Sequence, residues 1–208
     1  MRALWTLPVA LCAGCLASPP DSTDTEADGG ADCKRYEFEN LDGFLVTEAP
    51  GCRIESPARL RLVQEDPLAA DDGCFVEPEA RFAVGSLTIE YGSESNLPVG
   101  VIVYRPSDSI SAALNRWSSS TLELNENLAG DPLNQDTVEF DPSWTHWRLD
   151  FSGGEVAASA GPSRAELEER MRLPFAAEAE MGIVLGSWPG DEPTGQREAS
   201  FDHLEICP

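Results

Sequence analysis

The sequence predicts an all-β protein whose two antiparallel sheets pack face to face as a sandwich. Two observations carry this. First, many short apolar segments alternate with polar residues at period two. In Thr145–Phe151, Trp147, Leu149 and Phe151 fall on one face while His146, Arg148 and Asp150 fall on the other, the pattern of a half-buried strand. Second, the intervals between such segments are rich in Gly, Pro, Asn, Asp and Ser, the residues that tight turns require. Many short strands spaced in this way build a β-sandwich or a jelly roll.

The chain opens on a different logic. Met1 and Arg2 supply a short positive region, Ala3 to Leu11 an apolar core, and Ala13-Gly14 small residues at a cleavage point; together they read as an export signal. The apolar core is too short to cross a bilayer as a helix, which takes about 20 residues. Leu11-Cys12-Ala13-Gly14-Cys15 resembles a bacterial lipobox. That resemblance implies cleavage after Gly14 and lipidation of Cys15, with two or three acyl chains giving a stable anchor. Cys12 stands where such boxes carry Leu, with Leu11 one step earlier. Residues 1–14 are thus expected to be a signal peptide. Leu16 after the lipidated cysteine implies an exported protein anchored to the outer membrane or cell surface.

Residues 15–32 read as a disordered acidic tether. They hold no base and no aromatic residue, so they cannot bury enough apolar surface to offset ordering. Asp24-Thr25-Glu26-Ala27-Asp28-Gly29 mimics the start of a calcium loop, but the twelfth position is Arg35 rather than Glu, so a solvated spacer is the better reading.

Residues 33–208 form the expected folded domain. Its strands in order are YEFE, FLVTE, RLRLVQ, ARFAV, SLTIEY, GVIVYR, STLEL, TVEF, THWRLDF, EVAAS, GIVLG and FDHLEI. SDSISAALNRW has helical spacing at Ile110, Ala113, Leu114 and Trp117, but its flanking strands and the Ser118-Ser119-Ser120 turn favour a strand. One short surface helix is expected where Ser163 and Glu166 form a capping box. Leu167 and Met171 share a helical face there, and Pro174 ends the run.

The net charge is −23, from 37 acids against 14 bases. Such a surface repels nucleic acid and anionic headgroups, so membrane contact is expected through the lipid anchor alone and no nucleic-acid partner is expected. A soluble, self-repelling exterior accounts for the charge better than a specific cationic ligand. With Cys12 removed and Cys15 acylated, Cys33, Cys52, Cys74 and Cys207 remain, enough for two disulfides with three pairings open.

The stretch FDPSWTHWRLDFSGGEVAASA, followed by MGIVLGS and ASFDHLEI, resembles laminin-G and concanavalin A-like jelly rolls over Ser86 to Cys207. The resemblance places the first and last strands side by side. It therefore implies Cys33–Cys207 and Cys52–Cys74 bridges. The first would close nearly the whole domain and remove about 4–5 kcal/mol of unfolded-chain entropy.

Glucanases of that family carry Glu-x-Asp-x-x-Glu, and the nearest match here, Glu139-x-Asp141, meets Trp144 at the third acid and Pro142 within the strand. The expectation is a domain without catalysis that binds a glycan or a protein. His146 and His203 lie on predicted strands outside any zinc spacing, and each is expected to be a structural strand residue. Trp117, Trp144 and Trp188 beside turns are candidates for stacking sugar rings, with Asn115, Asn125 and Asn127 as polar partners. Asp191 and Glu192 are the candidate calcium ligands. The rival expectations are a diverged polysaccharide-active enzyme and a purely structural or interaction lipoprotein.

Overall fold

The computed structural model describes residues 32–64, 73–92, 98–118, 120–129, 131–188 and 197–208. The signal peptide, Cys15, nearly all of the tether, Asp191 and Glu192 lie outside these residues, as does the side chain of Trp117.

Fifteen strands run through the described residues. They are β1 (Lys34–Tyr36), β2 (Phe44–Glu48), β3 (Cys52–Glu55), β4 (Leu60–Gln64) and β5 (Cys74–Pro78), then β6 (Ser86–Tyr91), β7 (Val99–Tyr104), β8 (Ile110–Ser118), β9 (Thr121–Leu128) and β10 (Asp131–Glu139). The chain continues through β11 (His146–Ser152), β12 (Glu155–Gly161), β13 (Glu168–Pro174), β14 (Gly182–Ser187) and β15 (Arg197–Cys207). The strand pairings among the described residues are antiparallel, and the strands form two sheets. The larger runs β13-β12-β11-β6-β15-β4-β3, with β1 beside β15; the smaller runs β10-β9-β8-β7-β14-β5-β2. The all-β, two-sheet jelly-roll expectation is met.

The alternation along each strand explains the sandwich. Leu87, Ile89, Trp147, Leu149, Leu204 and Ile206 from one sheet, and Val101, Val103, Leu114, Leu122, Leu124 and Leu185 from the other, are almost wholly excluded from solvent. In the eight-stranded sheet their neighbours Thr88, Glu90, Arg148, Asp150, His203 and Glu205 are polar and lie on the opposite face, as period-two strands demand. Tyr91 stacks on Trp147 with ring centroids 5.0 Å apart. Arg116, at the same end of the core, lies over Tyr91 and over Phe140 at 4.7 Å, so aromatic faces stabilise its cation.

Two departures from the sequence reading have clear causes. The expected helix over Ser163–Pro174 is instead a single 3-10 turn, Arg164–Glu166, followed by β13. Met171 and Leu173 are both buried within β13, and Phe175 is buried just after it. That period of two outweighs the helical pairing of Leu167 with Met171. The Ser163 hydroxyl donates to Glu166 Oε2 at 2.7 Å and makes no cap to the backbone. The segment ARFAV contributes only a single bridge, Phe82 to Met181. SDSISAALNRW forms β8, a strand.

β15 pairs with β6 along one side and with β4 and β1 along the other. Disulfides join Cys33 to Cys207 and Cys52 to Cys74.

Candidate functional site

The outer face of the seven-stranded sheet carries the best-organised set of functional groups. Register alone defines its centre. Thr47 pairs with Phe75, Phe75 with Gly186, Gly186 with Gly100, Gly100 with Asn115, Asn115 with Glu123, and Glu123 with Thr137. One continuous row therefore crosses all seven strands. A second row holds Val184, Ile102, Ala113, Asn125 and Gln135.

The two glycines at the middle of the first row are required by close approach. A Cβ on Gly100 would lie 2.2 Å from Asn115 Oδ1 and 2.5 Å from the Leu114 carbonyl oxygen. On Gly186 it would lie 2.7 Å from the Phe75 ring. The Asn115 amide and the Phe75 ring thus fold down over bare backbone. Trp188 meets Phe75 edge-on at 5.8 Å, which extends the aromatic side of the floor.

The opposite side is polar. Glu123 accepts hydrogen bonds from the side-chain amides of Asn125 and Gln135. Asn125 and Asn115 are 6% and 4% exposed, and the Oδ1 of each has no hydrogen-bond partner. An acceptor buried without a donor is costly, and the Asn115 oxygen bears that cost where it lies against the bare backbone of Gly100. At the far end of the face the Tyr104 hydroxyl donates to Glu77, beside Arg81. Burial together with that acceptor pushes the Tyr104 phenol up to about 12.

Glu139 belongs to the same face. Its neighbour Val138 packs inward on the core, and Glu139 pairs with Thr121, two residues from Glu123 on β9. Glu123 and Glu139 are therefore diagonal cross-strand neighbours, a relation within reach of long side chains.

The structure brings Asn115, Asn125 and Trp188 onto this face, with Asn127 further along β9. Trp144 lies elsewhere, half-buried against Phe140 with Arg170 4.4 Å over its ring. It seals the end of the core, so it is not part of the stacking floor. The two histidines lie across the eight-stranded sheet, in one row with Glu90 between them. His203 contacts Glu37 through Nδ1 at 3.1 Å and Arg164 through Nε2 at 2.7 Å. His146 Nδ1 contacts Thr145 Oγ1 at 3.1 Å. Among the described residues no group of three or more His, Cys, Asp or Glu side chains could hold a metal ion.

Sequence reasoning missed Glu123, Phe75 and the two glycines. The available signal was TLELNEN, in which Glu123, Asn125 and Asn127 alternate with inward-facing residues.

No family model and no curated protein matches the chain. Solved structures do. A β-1,3-1,4-glucanase (lichenase) derived from a mouse hindgut metagenome is similar at TM-score 0.67 and 13% identity, over 85% of this chain and 99% of that one. The Bacillus licheniformis β-glucanase gives TM-score 0.66 and 10% identity, over 87% and 99%. The Crh5 transglycosylase in complex with NAG gives 0.64 and 15%, over 85% and 84%.

These likenesses overturn the expectation of a domain without catalysis. That expectation rested on a broken motif at Glu139–Trp144, sought along one strand. Yet β10 ends at Glu139 and the following residues form a turn, so that segment is not where a strand-borne motif would stand. The chain has the fold of jelly-roll glucanases.

Proposed function

We propose that the protein is a polysaccharide-active enzyme that takes a glycan chain across the outer face of the seven-stranded sheet. The observation that carries this reading is the row Phe75–Gly186–Gly100–Asn115–Glu123, which supplies a flat aromatic and amide floor ending at a carboxylate. Sugar rings stack on such aromatic faces while amides and carboxylates bond their hydroxyls. The glucanases and transglycosylase of the same fold lend support.

Glu123 and Glu139 are the proposed acid–base pair. As diagonal neighbours on one face, their long side chains can reach a bond lying between them. One carboxylic acid would protonate the leaving oxygen while the other carboxylate draws a proton from water. We further propose that the domain is exported and held at the outer membrane or cell surface by acyl chains on Cys15.

Reducing-end release from a panel of soluble polysaccharides tests the enzyme. Glu123→Gln and Glu139→Gln should each lower turnover by about 10²–10⁴-fold. Wild-type turnover in both variants overturns the assignment, and no cleavage or transfer of any glycan overturns the reading.

A further inference from the structure

We propose that His203 is a proton-operated latch. Its neutral ring ties the 3-10 turn Arg164–Glu166 to the segment that follows β1, and its protonated ring releases that turn. His203 Nδ1 stands 3.1 Å from Glu37 Oε1, and Nε2 stands 2.7 Å from Arg164 Nη2. A guanidinium only donates, and an ionised carboxylate only accepts. The two contacts therefore fix the state of the ring: Nδ1 carries the hydrogen and donates to Glu37, while the Nε2 lone pair accepts from Arg164.

A proton can enter this ring only at Nε2. There it turns the acceptor into a second donor and sets two cations 2.7 Å apart. The bond to Glu37 survives and becomes an ion pair, whereas the contact with Arg164 must break.

The surrounding charges make Arg164 the group that moves. On β1, Arg35 pairs with Glu205 of β15. On β6, Glu90 stands beside His203 in register, with His146 of β11 3.7 Å from its carboxylate. On β15 itself, Asp202 pairs with Arg59 at 2.9 Å, and Glu205 accepts from Arg164 Nη1 at 3.3 Å. Release from Nε2 thus leaves the Arg164 side chain with one longer bond, to Glu205. No residue of the turn is buried, so it can lift without uncovering the core.

Imidazole nitrogen NMR and amide hydrogen exchange on the full chain test this between about pH 8 and about pH 5, where histidine changes charge. At the upper end Nδ1 should give the protonated signal and Nε2 the unprotonated one. As Nε2 gains its proton, the Arg164 side-chain signals should shift in step. Exchange at the Glu166 amide, which bonds the Ser163 carbonyl at 3.1 Å, should then rise about tenfold beyond the intrinsic pH effect, as loss of one bond to a charged group implies. His203→Gln has no proton to take up in this range, so the response should vanish.

A hydrogen on Nε2 at the upper end overturns the latch. So does ring protonation that leaves Arg164 and Glu166 unchanged, and so does a response that persists in His203→Gln.

Discussion

Replacing Gly100 with Ala isolates what the centre of the sheet demands. The added Cβ would sit 2.5 Å from the Leu114 carbonyl oxygen and 3.1 Å from the Asn115 Cα. Both are backbone atoms of β8, so relief requires the β7–β8 pair to separate or shear. Overpacking of this kind costs about 1–3 kcal/mol; taking about 2 kcal/mol, a domain of this size should lose roughly 4–8 °C in melting temperature.

Gly186→Ala is the matched control, because the three atoms nearest to its Cβ belong to the Phe75 and Trp188 side chains. Those rings can swing, so its stability cost should stay below about 1 kcal/mol while the aromatic floor is disturbed. Urea and thermal unfolding, paired with glycan binding, read the two effects separately. Wild-type stability in Gly100→Ala, or equal destabilisation by both substitutions, would refute the account of close packing over the central glycines.

Three further outcomes follow from other parts of the molecule. Cys33 and Cys207 are 174 residues apart and Cys52 and Cys74 are 22 apart. Serine replacement of the first pair should therefore cost about 5 kcal/mol and of the second about 3 kcal/mol on the loop-entropy model, and denaturant midpoints showing the reverse order would refute it. Arg61 donates two bonds to Glu198, at 2.6 and 2.7 Å, which holds that carboxyl below its ordinary value of 4.5. A depressed carboxylate adds stability that is complete above the unfolded value and is lost as pH falls through the folded one. Glu198→Gln should thus flatten the acid side of the stability profile below about pH 4.5, and an unchanged slope there would remove the role of this pair. Palmitate should label the wild-type protein and not Cys15→Ser; equal labelling removes the anchor.

The strands were legible wherever one face is buried and the other wet. β11 displays this fully, with Trp147, Leu149 and Phe151 buried between half-exposed or exposed neighbours. β3 and β5 were passed over because CRIE and CFVEP are short and each begins with a bridged cysteine. β13 was mistaken for a helix because Ser163 with Glu166, and Leu167 with Met171, satisfy helical spacing. Only the partner strand β12 settles which period holds.

The candidate site was half visible for a related reason. Asn115, Asn125 and Trp188 stand out one at a time. Their grouping with Phe75, Gly100 and Glu123 depends on cross-strand register, which no single segment contains.

The Cys33–Cys207 bridge also has a mechanical meaning. Tension entering the chain before Cys33 and leaving it after Cys207 passes through one sulfur–sulfur bond and a single β1–β15 edge. Strands β2 to β14, and the face that those of the seven-stranded sheet build, stand outside that load path. A pull applied across the two ends of the domain would leave the strands of that face in register, because the force is short-circuited at the bridge where the chain enters the fold.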